Sequence, residues 1–332
     1  MRVLLPRLLT ALLGAVAVAC GGGGSHVSGL SDHLLIVRSD GLTEYTAGDG
    51  EALLLPNPDQ SVLTEPALSP DGTRIAYVRQ LTPIVLPGRP VETGADLFLA
   101  NRDGSGARLL LLHQQQNEQI RAPAWFPDGN RLLINVQQIQ AAQILTNLEV
   151  FDTSTGARSV LIENALLPAL SPDGTRIAYV RMDEQYIQTL YVANADGSDE
   201  REVIGPEQGM GSISSPRFSP DGRFLIFAAS AVLGGPGNIT LDQEYVSRAG
   251  ARAAVLSNGL PMDVWIDELP DGEPRVLAKL QLDQPGLVWS NDGKRIFALA
   301  GAGIFVIDAA DGDSKRLGEG TFHGQLAWLS AK

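Results

Sequence analysis

Short apolar stretches alternate with polar turns along most of the chain, and one such unit occurs twice without change. Residues 66–78 read PALSPDGTRIAYV, and residues 168–180 repeat them at every position. Looser copies lie at 123–134, 216–228 and 287–298. In each copy, two apolar runs flank a Pro-Asp-Gly or Asn-Asp-Gly step. This arrangement is typical of two buried strands joined by a tight turn, in which glycine takes the left-handed position.

A second pair of apolar runs follows four of these copies around another Asp-Gly step. These steps are Asp103-Gly104, Asp196-Gly197, Asp271-Gly272 and Asp311-Gly312. Each repeat therefore contains four antiparallel strands, which we name a to d in chain order. Four-stranded repeats arranged in a ring are the blades of a β-propeller.

The two ends of the chain supply the parts of one more blade. Three apolar runs at 34–37, 42–45 and 52–55 precede the first copy, and a single strand at 325–330 follows the last one. Joined, they complete a blade. We therefore predict an all-β fold, a six-bladed β-propeller over residues 32–332, in which the N- and C-terminal strands share one blade.

The repeat also resembles a known family. SPDGTRIAY, followed at 190–197 by LYVANADG, is similar to the WD40-like (PD40) repeats of TolB-type propellers, and the resemblance covers nearly all of the chain after the N-terminal segment. It implies a propeller that serves as an adaptor, a peptidase filter or, less often, an enzyme. TolB has an α/β domain before its propeller. Only three strands precede the first repeat here, so we expect that domain to be missing.

The first residues have the pattern of a secretion signal. Arg2 and Arg7 precede an apolar run at 8–18, which is shorter than the roughly 20 residues a membrane span needs. We assign 1–19 to a signal peptide. Residues 17–20 resemble the lipobox of bacterial lipoproteins, in which the cysteine is acylated, and Cys20 is the only cysteine of the chain. We expect lipidation at Cys20; the alternative is ordinary cleavage after Ala19, which leaves a free thiol.

The glycine run after Cys20 and the net charge limit the kinds of partner that we expect for this protein. Residues 20–31 begin with a glycine run after Cys20 and form the expected flexible tether. The net charge is −13, and removing the signal with its two arginines makes it −15. Such a surface argues against nucleic acid, so we expect membrane contact only through the N-terminal lipid. We expect a monomer facing the periplasm or the extracellular side.

No pattern for catalysis, metal binding or a cofactor is present in the sequence. The four histidines lack ligand spacing, and no G-x-S-x-G motif occurs. We therefore expect no catalytic residue, no metal and no cofactor, and predict that the protein is not an enzyme.

Long insertions are all predicted on one face of the ring. The b–c segments 80–94, 137–146 and 230–262 and the d–a linker 113–121 lie there, and loops on a rigid scaffold often carry function. Arg121 could bind the carboxylate of a ligand through two hydrogen bonds, but we favour the alternative, a charge at the rim that pairs with a neighbouring acid of the protein. The predicted binding face comprises Glu65, Arg89, Arg121, Asp242, Tyr245, Arg248, Arg252, Met262, His323 and Gln325.

Two functions remain open from the sequence. The first is a non-catalytic module that binds an envelope protein or peptide. The alternative is a propeller that binds a glycan or small molecule, or acts as a hydrolase or lyase, at the channel mouth with acids such as Glu65 and Asp242.

Overall fold

The structure is a computed structural model, and ten segments of the chain are described. These are residues 33–46, 50–57, 61–81, 94–115, 117–140, 143–184, 186–231, 261–301, 303–318 and 326–329. Within them lie 24 strands and one 3-10 turn, Pro206–Gln208. No helix in these segments is long and apolar enough to cross a membrane.

The strands form four four-stranded antiparallel sheets and one eight-stranded sheet, in which two four-stranded antiparallel units, blades 1 and 2, are joined by the parallel pairing of Ala95 with Gln119. Blade 1 comprises β4 (Val62–Leu68), β5 (Arg74–Gln80), β6 (Ala95–Asn101) and β7 (Arg108–Leu111). Blade 2 comprises β8 (Glu118–Trp125), β9 (Arg131–Gln140), β10 (Gln143–Asp152) and β11 (Arg158–Glu163). Blade 3 comprises β12 (Leu166–Leu170), β13 (Arg176–Met182), β14 (Gln188–Asn194) and β15 (Arg201–Ile204).

Two further units and a closing blade follow the same plan. Blade 4 comprises β16 (Met210–Phe218), β17 (Phe224–Ala231), β18 (Pro261–Glu268) and β19 (Arg275–Asp283). Blade 5 comprises β20 (Gly286–Trp289), β21 (Arg295–Ala300), β22 (Gly303–Asp308) and β23 (Ser314–Gly318). The closing blade comprises β1 (His33–Arg38), β2 (Gly41–Thr46), β3 (Gly50–Pro56) and β24 (Ala327–Leu329).

The predicted fold, a β-propeller closed by the two ends of the chain, is confirmed. Strand β24 pairs with β1 from Ala327↔Leu35 to Leu329↔His33, as strand a of the closing blade. Six four-stranded units are present among the described strands. The number of blades in the whole chain stays a prediction, because residues 232–260 lie outside the described segments.

The repeated Ser-Pro-Asp-Gly turn is stabilised by its own side chains. Ser69 Oγ donates to Asp71 Oδ1 at 2.5 Å, and the backbone N–H of Arg74 donates to Ser69 Oγ at 2.9 Å. Gly72 takes the left-handed conformation with φ of 70°, as predicted. The same serine–aspartate contact recurs at Ser171–Asp173, Ser219–Asp221 and Ser290–Asp292. Each of these turns therefore has hydrogen bonds of its own that join strands a and b.

The core lies between neighbouring blades. Phe126, Leu133 and Leu148 of blade 2, for example, pack in one buried cluster with Ile177 and Tyr179 of blade 3. Complete burial of such side chains is worth about 1.5–3 kcal/mol each. Because every blade buries one face against the next, the ring is stabilised mainly by these contacts.

An arginine on strand b adds a polar contact between blades. Arg74 of blade 1 donates from Nη2 to the Gly129 carbonyl of blade 2 at 2.7 Å and lies 4.8 Å from the centre of the Trp125 ring. In blade 3, Arg176 likewise donates to the Gly222 carbonyl of blade 4. The identical repeats of blades 1 and 3 therefore make the same arginine–carbonyl contact with the next blade, while the aromatic ring beside the arginine is Trp125 in one and Phe218 in the other.

Candidate functional site

The innermost strands of the propeller surround a cavity of about 260 Å³. All six units contribute to its wall, which identifies it as the central channel. Most of its lining residues are small or apolar: Pro66, Ala67, Leu68, Ala122, Pro123, Ala124, Trp125, Pro168, Ala169, Leu170, Arg217, Phe218, Val288, Leu326 and Ala327. Arg217 is the single charged residue among those that line the cavity in the described segments.

Strand a of blades 1 to 4 has a bulge at the channel. The residue before the proline has a positive φ in each: Glu65 51°, Ala122 46°, Leu167 53° and Ser215 50°. The pairing register of strands a and b shifts at this point in all four blades. Proline cannot donate to the ladder, so its position inside a strand is compatible with a bulge. The bulge therefore turns one side chain and one backbone N–H away from the regular pairing.

Glu65 occupies the bulge position of blade 1 and connects it to blade 2. Its Oε1 accepts hydrogen bonds from Arg121 Nη2 at 2.9 Å and Nε at 3.2 Å. Its Oε2 accepts the backbone N–H of Ala122, the bulge residue of blade 2, at 2.8 Å. The Glu65 side chain is only 8% exposed, and its charge raises the pKa of Arg121. Both carboxylate oxygens are therefore used within the protein.

Arg217 lies at the position after the bulge proline in blade 4. Blades 1, 2 and 3 have Ala67, Ala124 and Ala169 there. Arg217 Nη1 donates to the Pro216 carbonyl at 2.7 Å. The Arg217 carbonyl accepts from Trp289 Nε1 of blade 5 at 3.3 Å. Burial lowers the pKa of Arg217 to about 10, and the charge of Glu65 partly opposes that shift.

Two departures from the repeat therefore lie at one place. Glu65 stands where blades 2, 3 and 4 have Ala122, Leu167 and Ser215, and Arg217 stands where blades 1, 2 and 3 have alanine. Neither side chain is needed for the blade fold, because the equivalent blades form without it. Chemistry that differs between otherwise equivalent blades, gathered around one cavity, marks this end of the channel as the candidate functional site.

The structure brings together two of the residues that the sequence predicted for a binding face, Glu65 and Arg121. Arg121 pairs with Glu65, in agreement with the interpretation favoured from the sequence, a charge paired with a neighbouring acid. Arg121 also lies within strand β8 and not in the d–a linker assigned to 113–121, because β8 begins at Glu118.

The sequence predicted that Met262 is an exposed interface residue. This prediction is wrong, because Met262 is buried. Its side chain is 2% exposed and packs in the core with Val264 and Leu282. It begins strand c of blade 4, so its apolar side chain fills the contact between blades 4 and 5. The other predicted positions lie outside the described residues: Cys20, Arg89, Asp242, Tyr245, Arg248, Arg252, His323 and Gln325.

Sequence reasoning missed Arg217. A signal was present, because aligning the copies on the bulge proline shows Pro-Ala in three of them and Pro-Arg at 216–217. Aligning the repeats on their turns alone, as we did, draws attention to what they share and hides this difference.

The loop face has one further described feature, an extended hairpin on blade 2. Strands β9 and β10 stay paired up to Gln140↔Gln143. Leu145 on this hairpin is 45% exposed, and Gln138 donates a hydrogen bond to Gln115 of the linker from blade 1. The hairpin therefore extends blade 2 beyond the ring next to the channel.

The side chains around the channel are suited to binding a ligand. Its cluster holds two guanidiniums, Arg121 and Arg217, and one carboxylate, Glu65. The described side chains contain no group of three metal-ligating residues. The guanidinium of Arg217 gives this largely apolar cavity a polar group that can donate hydrogen bonds.

Comparison with known proteins agrees with the fold. No family model matches the chain. An uncharacterized peptidase, YuxL, of Bacillus subtilis is 23% identical over 192 residues, which is 53% of this chain. The chain covers only 28% of that relative's length.

Two solved structures are similar over almost the whole chain. TolB from Acinetobacter baumannii has a TM-score of 0.60 at 15% identity, over 90% of this chain and 66% of its own. A putative TolB from Agrobacterium tumefaciens has a TM-score of 0.57 at 13% identity, over 91% of this chain and 100% of its own. At such identities the likeness concerns the fold. The chain has a TolB-like β-propeller fold.

Proposed function

We propose that this protein is an exported, lipid-anchored propeller that binds a protein or peptide of the bacterial cell envelope without catalysing a reaction. The observation that carries the proposal is the channel cluster of Glu65, Arg121 and Arg217. Glu65 and Arg217 depart from the blade repeat. Arg217 lines the otherwise apolar cavity, and Glu65 binds Arg121 and the backbone N–H of Ala122, which is itself a lining residue.

The chemistry of the cluster supports binding over catalysis. A general acid or base works best when its pKa lies near the working pH and it can reach a substrate proton. Glu65 is held by three hydrogen bonds from Arg121 and Ala122. Both oxygens of this carboxylate are occupied by contacts within the protein, so it serves to position its neighbours.

The loops on the same face support a macromolecular partner. The β9–β10 hairpin extends blade 2, and residues 232–260 lie between β17 and β18 in the sequence. Insertions of this length can supply the contact area that a macromolecular partner needs. A binding interface of standard size requires about 800 Å² on each partner.

An affinity-capture experiment tests the partner. Strands β17 and β18 are paired up to Ala229↔Asp263, so a short glycine-containing turn can replace residues 232–260 and join Ala231 to Pro261. We expect in-cell cross-linking to recover a stoichiometric partner with the full protein and to lose it with this variant.

A second shortened variant is the matched control. In it a two-residue turn joins Gln137 to Thr146, which are paired across β9 and β10. Both variants remove loop from the same face, so loss only with the first one places the contact in 232–260. If no partner is recovered with a folded, full-length protein, the proposal of a protein-binding module fails.

The lipid anchor has a separate test. We expect the wild-type protein in the membrane fraction and Cys20→Ser in the soluble exported fraction, since a diacylated cysteine supplies the only proposed anchor. Metabolic labelling with a fatty acid should mark the first and not the second. A Cys20→Ser variant that stays in the membrane fraction contradicts the anchor.

A further inference from the structure

The b–c turn of blade 3 exposes a tyrosine on a left-handed backbone. Tyr186 lies between β13 and β14, has a φ of 64° and is 52% exposed. A positive φ is uncommon for residues with a side chain, and asparagine and aspartate tolerate it best. At the other described positions with positive φ outside the channel bulges, the residues are asparagine, aspartate, glutamine or glycine. An aromatic residue at such a position is therefore unusual in this molecule.

The conformation of this turn is fixed by three hydrogen bonds. The backbone N–H of Tyr186 donates to the Asp183 carbonyl at 3.0 Å, and the Asp183 N–H donates to the Ile187 carbonyl at 3.0 Å. The Ile187 N–H donates to Asp183 Oδ1 at 2.8 Å. A sparsely populated backbone conformation persists only where its surroundings determine it, and such strain is common at functional positions. The turn thus holds one exposed side chain in a defined place.

The ring of Tyr186 does not contribute to the core of the described segments. It belongs to none of the six buried clusters there, nor to the side chains packed against them. In the a–b turns of blades 1 to 5 the left-handed position is always glycine, as at Gly72 and Gly174. Glycine adopts this conformation without strain. Because glycine at position 186 would serve the fold better, the exposed ring requires an explanation outside the fold.

Acidic residues lie on both sides of Tyr186. Its own turn contains Asp183 and Glu184, and the linker from blade 3 to blade 4 contains Glu207. This linker passes beside the turn, because β14, which follows the turn, is hydrogen-bonded to β16, which follows the linker. Neither segment, 183–187 or 205–209, contains a lysine or an arginine.

The basic residue nearest to this turn in the sequence is engaged within blade 3. Arg181 pairs with Glu200 and lies over the rings of Tyr179 and Tyr191. The exposed charge next to Tyr186 is therefore negative. Interfaces arrange their charges so that a negative patch meets a positive one, which favours a partner with basic side chains here.

Tyrosine is one of the residue types that interfaces use as anchors. Its ring supplies a large contact area with few rotatable bonds, and its hydroxyl can form a hydrogen bond. A turn that already fixes the side chain reduces the entropy that is lost on binding. An apolar pocket with a polar group at its end suits such a side chain.

We propose that Tyr186 is the anchor with which the loop face binds its partner, and that the partner is a folded protein with an apolar pocket rimmed by lysine and arginine side chains. The ring enters the pocket, and the basic side chains face the acids of 183–187 and 205–209. This inference rests on the proposed function, since it names the surface that the partner offers.

A photo-reactive side chain tests the contact. p-Benzoylphenylalanine replaces Tyr186 in the exported full-length protein, and in the matched control it replaces Val160, which is 51% exposed on the outer strand β11. We expect irradiation of cells to join position 186 to one protein, at an apolar pocket flanked by lysine or arginine. Position 160 should give at least tenfold less of this product. No cross-link from position 186, or an equal one from position 160, overturns the inference.

Substitution by glycine separates binding from stability. Tyr186→Gly removes the ring and relieves the backbone, so we expect a higher unfolding midpoint than for Tyr186→Ala. Its capture of the partner should be at least tenfold weaker than that of the wild type, while Tyr186→Phe should keep most of it. A purely structural tyrosine would not affect capture by a folded variant. Full capture by folded Tyr186→Gly therefore contradicts the anchor.

Charge reversal tests the acids around the anchor. Glu184→Lys combined with Glu207→Lys should weaken capture at least tenfold. Glu273→Lys combined with Asp311→Lys changes the net charge equally on exposed c–d turns of the opposite face, so capture should stay unchanged. Equal losses with the two pairs would contradict a basic rim on the partner.

The outcomes separate this inference from the proposed function. If the wild type captures a partner and Tyr186→Gly captures it equally, the proposed function stands and the inference fails. If position 186 is joined to a basic-rimmed pocket while the variant without 232–260 still captures that protein, the contact lies at blade 3 and the inference stands. If the folded wild-type protein captures nothing and position 186 is joined to nothing, both fail.

Discussion

Blades 1 and 3 share thirteen consecutive residues, yet one of them carries the channel chemistry and the other does not. Residues 66–78 and 168–180 form the same strand, turn and strand, with the same turn contacts and the same arginine bond to the next blade. The residue just before the shared segment is Glu65 in one and Leu167 in the other. Both have a left-handed backbone, with φ of 51° and 53°.

This comparison separates the residues that specify the blade fold from the bulge residue, which supplies the chemistry at the channel. The thirteen shared residues specify the hairpin and its contact with the next blade, and they work equally with glutamate or leucine before them. The bulge position tolerates different side chains because it is released from the strand ladder. Function can therefore be placed at this position without changing the blade.

The largest expected effect comes from removing the difference between the two blades. Glu65→Leu leaves Arg121 and the Ala122 N–H without their acceptor, and we expect a loss of about 2–4 kcal/mol in the free energy of unfolding. Glu65→Gln keeps an acceptor oxygen and should lose less. Denaturant unfolding measures both. Since Arg121 is 37% exposed, water could satisfy it; a loss under about 0.5 kcal/mol would show that it does.

The second test exploits what the two blades have in common. Arg74→Met and Arg176→Met each remove a hydrogen bond to a glycine carbonyl and a contact with an aromatic ring. We expect equal losses of about 1–2 kcal/mol, and the double variant should show their sum because the sites are far apart. Clearly unequal losses would mean that the shared sequence does not give the same energetics.

A third test compares Glu65 with a buried acid that has weaker contacts. Asp267 is 1% exposed, and its nearest guanidinium nitrogen, Arg201 Nη2, lies at 3.7 Å. Burial raises the pKa of Asp267. The stabilising contribution of Asp267 to the free energy of unfolding is therefore complete below about pH 4. It is lost as the pH rises through the pKa that Asp267 has in the folded protein.

Because the pKa of Asp267 is raised, its ionised form is unfavourable in the folded protein at neutral pH. We therefore expect Asp267→Asn to stabilise the protein by about 1 kcal/mol at neutral pH. The gain should shrink as the pH falls towards 4. Thermal unfolding between pH 4 and pH 8 measures it, with Glu65→Gln as the contrasting variant, which should destabilise. A gain that does not depend on pH would contradict ionisation of Asp267 as its cause.

The smallest expected effect concerns the turns. Hydrogen bonds from Ser69 and from the Thr73 backbone lower the pKa of Asp71 to about 2, and Ser171 and Thr175 do the same for Asp173. The stabilisation that these hydrogen bonds to Asp71 and Asp173 give the folded protein is therefore present above about pH 4 and is lost as the pH falls towards 2. Because the turns are exposed, each should contribute under about 1 kcal/mol.

Asp71→Asn and Asp173→Asn should each flatten the loss of stability between pH 4 and pH 2 by the same amount. Unfolding midpoints across that range check this. Thr73→Ala is a useful control, because its backbone N–H still donates to Asp71 at 3.0 Å. If either aspartate variant keeps the full acid sensitivity of the wild type, that turn does not contribute to it.

Repetition explains how far the sequence alone could lead. The turn glycines, the paired hairpins and the contact between the two ends follow from local patterns that recur several times. The bulge was missed, although Pro66, Pro123, Pro168 and Pro216 lie inside predicted strands, where proline indicates interrupted pairing.

The site was harder to predict because it depends on residues far apart in the sequence. Glu65 and Arg121 are brought together only when blades 1 and 2 pack side by side. Arg217 joins them across the channel, which no local pattern specifies. Met262 shows the opposite error, since a side chain that follows a long insertion was taken as exposed although it begins a buried strand.

The pairing of β1 with β24 sets an order of events during synthesis. Leu35 and Ala327 are partners across 292 positions. At about 5–20 residues per second, the inner edge of β1 waits about 15–60 s for its neighbour to be made. During that interval it presents unpaired N–H and C=O groups to any other extended chain, which is the usual origin of association between incomplete β-proteins. Pairing with β24 thus protects the edge of β1 from association with other chains.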